Sequence, residues 1–133
     1  MLIRINKTSE EPLYLQIRAQ IIAAIARQEI VAGEALPSVR SLASDLGINL
    51  HTVNKAYAVL RDEGYVVIRG RSGAVVAEPV ADSSSGKSEE AAASMEESLY
   101  RLALAHRARG GTALEFEASS RNAVEQAYRE EKT

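Results

Sequence analysis

The chain contains no cysteine and no tryptophan, a single phenylalanine, two histidines and only three prolines in 133 residues. Without cysteine there is neither a disulfide framework nor a thiolate metal site. With one Phe and no Trp, the core must be built mainly from aliphatic side chains, and a hydrophobic content of 46% is enough to supply one. No apolar run reaches the ~18 residues needed to span a bilayer, and the start lacks the basic-then-apolar layout of a secretory signal. A cytoplasmic protein without a membrane partner is therefore expected. Also missing is any catalytic set: no nucleophile with a base in reach, no glycine-rich phosphate loop after a strand, no carboxylate pair with positional logic. An enzyme is not expected, nor a cofactor or metal, and no small-molecule effector is identified.

Excess positive charge is lacking too. The formal net charge of −2 argues against a protein that coats nucleic acid through bulk charge. The charge is uneven, however. Residues 1–79 carry nine Lys/Arg against eight Asp/Glu, whereas residues 80–133 carry seven against ten. Any binding to DNA must come from a local basic surface.

What is present is strong helical periodicity, then a change of period. Leu2 to Ile5 alternates well enough for a short strand. From Pro12 to Glu29, Tyr14, Ile17, Ile21 and Ile25 recur on one stripe, which predicts a helix ended before Gly33. Ser38 can cap a second helix whose Val39, Leu42, Ala43 and Leu46 fall at i, i+3, i+4, i+7, and Gly47 suits its end. Asn49 can cap a third, with Val53, Ala56, Tyr57 and Leu60 facing inward and Gly64 stopping it. Two amphipathic helices across so short a turn make a helix-turn-helix. Tyr65–Arg69 and Ala74–Ala77 then alternate as strands around Gly70-Arg71-Ser72-Gly73, a β-hairpin with a basic tip. The expected fold is mainly α with a small β-hairpin: a winged helix-turn-helix plus a short C-terminal two-helix dimerisation appendage.

The appendage follows a linker. Residues 1–79 are read as the DNA-binding domain, 80–88 as linker by their Ser, Gly and Asp content, and 89–133 as a helical dimerisation segment. Met95, Leu99, Leu102 and His106 follow at spacings of 4, 3 and 4, Gly110-Gly111 breaks the helix, and Thr112-x-x-Glu115 has the form of a capping box opening a helix to about Glu131. Leu114 and Phe116 of that second helix join the candidate dimer residues. The seam can pack across a two-fold axis or dock back on the same chain. His106 reads as a packing histidine, not a ligand.

Candidate DNA-binding residues follow from the same frame. If the stripe of the third helix faces the core, Leu50, His51, Thr52, Asn54 and Lys55 face outward. Asn54 suits a bidentate contact to adenine, His51 and Thr52 reach bases or phosphates, and Lys55 suits phosphate. Arg40 lies in the first turn of the second helix, where a cation is slightly unfavourable and a phosphate partner would explain it. Arg69, Gly70, Arg71 and Ser72 form the wing tip, able to enter a minor groove or clamp phosphates. Each feature also has a plainer reading, as a solvated helix face, a surface arginine or a charged, soluble turn. A winged-helix module that docks on another protein is the alternative from a different class, and an RNA-binding role a lesser one.

Leu36-Pro37-Ser38-Val39-Arg40-x-Leu42-Ala43-x-x-Leu46-Gly47, followed by Thr52-Val53-x-x-Ala56-Tyr57-x-x-Leu60-x-x-Glu63-Gly64-Tyr65, resembles the N-terminal domain of GntR-family bacterial regulators. Pro12-Leu13-Tyr14-x-Gln16-Ile17 and the Arg/Gly wing agree with it. The short helical tail and the run from Asn49 to Tyr57 resemble the YtrA subfamily. The resemblance implies DNA contacts at Arg40, at Asn49, Leu50, Thr52 and Asn54, and at Arg69 to Ser72. It further implies a homodimer on a palindromic operator of double-stranded DNA, acting as a transcriptional repressor that blocks a promoter. Leu50 departs from the usual arginine, polar residue or proline and cannot hydrogen-bond a base, so an apolar contact to a thymine methyl is expected there. Ala74 replaces the usual threonine of the wing.

Overall fold

The computed structural model describes residues 2–70, 73–79 and 86–129. They fall into two compact units, Met1–Pro79 and Val80–Thr133.

The first unit is built on three helices. Helix α1 (Leu13–Ala26) buries Ile17 and Ile21 completely. It is shorter than the apolar stripe predicts, because Gln28 turns the chain at φ 59°. The Gln28 N–H then bonds the Ile25 carbonyl and the Glu29 N–H the Ala24 carbonyl, a Schellman closure that swings Ile30 into the core. Helix α2 (Val39–Leu46) starts at Ser38, whose hydroxyl accepts the Ser41 N–H at 3.0 Å. It ends at Gly47 in the left-handed region, φ 66° and ψ 38°. That geometry suits glycine and lets α3 (Leu50–Asp62) begin two residues later at the Asn49 cap. Val53, Ala56, Tyr57 and Leu60 of α3 are all buried, as their spacing requires. Tyr57 is the aromatic of this aliphatic core, and its hydroxyl donates to the Pro37 carbonyl at 2.7 Å. Burial pushes its pKa up to about 12. A bidentate ion pair from Arg18 to Glu63, 2.6 Å on both bonds, ties α1 to the end of α3.

The wing is an antiparallel pair, β1 (Val66–Ile68) and β2 (Ala74–Val76), with Val67 opposite Val75. Residues 33–36 pair along the other edge of β2, which the periodicity did not predict. The Leu36 N–H bonds the Ala74 carbonyl at 2.8 Å, and Gly33 and Glu34 exchange 2.9 Å bonds with Val76. With β2 flanked on both sides, its three residues are buried.

The strand expected at Leu2–Ile5 does not form. Its alternation is real, since Ile3 is buried and Leu2 exposed, but no strand lies beside it. Two glutamines one turn apart on α1 take that place. The Gln20 amide bonds both the N–H and the carbonyl of Arg4, and the Gln16 amide does the same for Asn6. Gln16 also donates to the Glu11 carbonyl at 2.9 Å. A buried amide is tolerable because its polar atoms are thus paired.

In the second unit, α4 (Gly86–Ala108) and α5 (Ala113–Ala127) form a helical hairpin. Both halves of the capping box are made: the Thr112 hydroxyl accepts the Glu115 N–H at 3.1 Å, and the Glu115 carboxylate accepts the Thr112 N–H at 2.9 Å. The His106 and Phe116 rings meet at 5.9 Å, and the His106 ring lies so close over Gly111 that a Cβ there would collide with it. The packing role expected of His106 carries a cost, because its buried Nε2 has no hydrogen-bond partner among the described residues. No described residue of α5 is buried. Among the described residues no helix is long and apolar enough to cross a membrane.

Candidate nucleic-acid interface

Asn49 opens the candidate surface, and its side chain is already engaged. Its Oδ1 accepts the His51 N–H at 2.8 Å, which fixes the side chain over the helix start and leaves the amide NH2 free to donate outward. Leu50, His51, Asn54 and Lys55 are exposed along the N-terminal half of α3, while Thr52 is half-buried. Neither α2 nor α3 carries an acid in its first turn, so both helix N-termini keep their partial positive charge uncompensated. Arg40 is exposed in the first turn of α2.

Lys55 does not stand free. Its Nζ lies 4.2 Å from the centroid of the Tyr14 ring, a cation–π contact that draws the ammonium toward the first turn of α1. Asn54 borders a cleft of about 320 Å³ between α3 and the hairpin, which Pro37, Val39, Arg61 and Ile68 also line. Across it, Arg69 and Gly70 are exposed at the start of the wing turn, where the Arg69 N–H bonds the Gly73 carbonyl at 2.8 Å. Arg71 and Ser72 lie outside the described residues.

The candidate dimer residues sit in the second unit. Met95, Leu99, Leu102 and Leu114 are exposed, at 58%, 46%, 61% and 77%, and only His106 and Phe116 are partly covered, by each other. Among the described residues no cluster of His and acidic side chains could hold a metal.

Two residues at the edge of this surface escaped sequence reasoning. Tyr14 was counted only as part of the α1 stripe, yet its ring face holds Lys55. Lys7 stands in a polar stretch with no periodicity, yet its ammonium donates to the Gly47 carbonyl at 3.1 Å. The sole local hint was Asn6-Lys7-Thr8, a sequence suited to an Asx turn.

Two capped helices across a tight turn, followed by a two-stranded wing, define a winged helix-turn-helix protein. Residues 13–76 match the model of the bacterial regulatory proteins of the gntR family. The structure of YtrA from Sulfolobus acidocaldarius, a GntR-family transcription factor, is 41% identical, with a TM-score of 0.63 over 79% of this chain and 99% of that one. The chain belongs to the GntR family.

Among curated relatives, YhcF of Bacillus subtilis, named an uncharacterized HTH-type transcriptional regulator, is 37% identical over 70 residues, 53% of this chain and 58% of its own. The HTH-type transcriptional repressor YtrA of the same organism is 39% identical over 71 residues, 53% and 55% of the two chains. The matched region thus spans less than two thirds of these relatives' length. A Listeria monocytogenes protein described as a transcriptional antiterminator has a TM-score of 0.81, 25% identity, and covers 96% of this chain and 92% of its own. The DNA-binding domain of AraR, in complex with operator ORX1, matches with a TM-score of 0.50 and 26% identity over 56% of this chain and 92% of that one.

Proposed function

We propose that this chain is a sequence-specific transcriptional regulator that binds a palindromic operator as a homodimer and represses by occupying the promoter. The observation that carries this reading is the exposure of Asn54, His51 and Lys55 on α3, with Arg40 and Arg69 exposed on the elements before and after it. Asn54 has the amide geometry for the adenine N6 and N7 edge, Leu50 can meet a thymine methyl, and the cations suit phosphates. In this reading residues 1–79 bind DNA, 80–88 link, and 89–133 pair two copies through Met95, Leu99, Leu102 and Leu114, with His106 and Phe116 beneath them. Two-fold pairing of chains matches two-fold symmetry of the operator. The Bacillus subtilis relative named as a repressor and the AraR domain seen on its operator support the same choice.

A protein-docking role is the second reading, favoured by the exposure of Leu50 at 40% and Ile68 at 51% beside the polar face. Selection of bound duplexes from a random pool separates the two. A symmetric enriched motif with half-sites about one helical turn apart is expected. No enrichment over a random duplex overturns the DNA reading, and an enriched but asymmetric motif removes the dimer from it.

A further inference from the structure

We propose that Lys7 is a further DNA contact: the N-terminal segment delivers its ammonium to the turn of the helix-turn-helix, where it takes a backbone phosphate beside the N-terminus of α3. The inference rests on the duplex-DNA reading above and adds a contact from a segment outside the helix-turn-helix and the wing.

The Lys7 ammonium is placed by long-range contacts. Its donation to Gly47 spans 40 residues of sequence, and Gly47 lies two residues before the Asn49 cap of α3. The chain on either side of Lys7 is pinned. Gln16 holds the N–H and carbonyl of Asn6, and the Asn6 side chain accepts both the N–H and the hydroxyl of Thr8, at 3.0 and 2.6 Å. Lys7 thus projects from a closed Asx turn whose backbone is anchored to a buried glutamine.

Its charge has no acidic partner among the described residues. The one described bond uses one of three ammonium donors, and the acceptor is a neutral carbonyl. Closing the C-terminus of α2 explains that bond, and α2 itself has no basic residue in its last turn. That bond leaves the ammonium exposed, with donors free to exchange water for a phosphate oxygen. With the N-terminal half of α3 in a major groove ~12 Å wide, the turn preceding it lies at the groove edge, where the phosphates run. A cation fixed there neutralises backbone charge and reads no base.

The test uses the full chain and a labelled duplex of random sequence, about 30 base pairs long, titrated between ~50 and ~200 mM salt. Lys7→Met should lower affinity roughly five- to tenfold near ~0.1 M salt and make the slope of log K against log salt shallower by about 0.9 per bound copy. Lys7→Arg should keep the parent slope. A Lys7→Met slope equal to that of the parent overturns the proposal. So does a Lys7→Arg slope as shallow as that of Lys7→Met, because a cation kept at the position would then fail to restore the phosphate contact. Parent protein that fails to bind the duplex at all sinks the DNA reading and this inference together, whereas binding insensitive to Lys7 sinks the inference alone.

Discussion

At the scale of single residues, the side-chain amides carry more of this molecule than their number suggests. Gln16 is buried and bonds three backbone groups, so Gln16→Ala strands the Asn6 N–H and the Glu11 carbonyl and leaves the Asn6 carbonyl to the Ser9 N–H alone. A stranded buried group costs about 1–3 kcal/mol, and these bonds are part-buried, which sets the loss at the lower end, about 1 kcal/mol. Urea unfolding of Gln16→Ala should show a loss of that size, and an unchanged midpoint would mean that water replaces the amide. Asn54 is a different case, because it is exposed and supports no fold contact among the described bonds. Asn54→Ala should leave the melting temperature unaltered while removing about 1–3 kcal/mol of preference for the selected operator over random duplex. Equal loss on both duplexes would assign Asn54 to the phosphates instead.

Helix ends decide most of what happens at the scale of elements. α2 leaves through a left-handed Gly47, whereas α1 uses Gln28 in the same left-handed region. A side chain there is held against its steric preference, and the position is exposed. Gln28→Gly should therefore stabilise the first unit by roughly 0.5–1 kcal/mol in thermal or urea unfolding, and a loss would show that the Gln28 side chain is needed.

At the start of α5, the Thr112 N–H and hydroxyl both donate to Glu115 and hold its pKa below the ordinary carboxylate value, with His106 nearby acting in the same direction. A depressed folded value means the stabilisation is present above the unfolded pKa near 4.5 and fades as the pH falls through the lower folded one. Circular dichroism should show helicity lost on acidification below about pH 4 in the parent and less so in Glu115→Gln. Identical acid profiles would dismiss the capping carboxylate as the cause.

For the molecule as a whole, the first unit has a core of its own, while α4 and α5 keep an apolar seam in water. Exposed leucines at that spacing are what a pairing surface requires. For the homodimer proposed above, Leu99→Glu combined with Leu102→Glu should give a monomer in sedimentation and weaken operator binding by about 10²–10⁴-fold, through loss of the second half-site. Retained dimer would place the pairing surface elsewhere.

The helices of the helix-turn-helix, their caps, the hairpin and the Thr112–Glu115 box were all legible in the sequence, because each is written in residues within one or two turns of each other. The inward stripe of α3 left its outward residues as the candidate reading face by subtraction. What only the tertiary structure decided lies across long separations. The alternation at Leu2–Ile5 is a local signal for a strand, but a strand needs a neighbour, and the neighbour turned out to be two glutamine side chains on α1. Residues 33–36 carry no period of 2 and form only a bridge, Ala35 to Val75, because β2 offers an open edge. Lys55 looked like a free cation until Tyr14, some forty residues earlier, came to lie beneath it. Local chemistry thus determined which elements form and where they stop, and packing between distant segments determined where the charges around α3 are held.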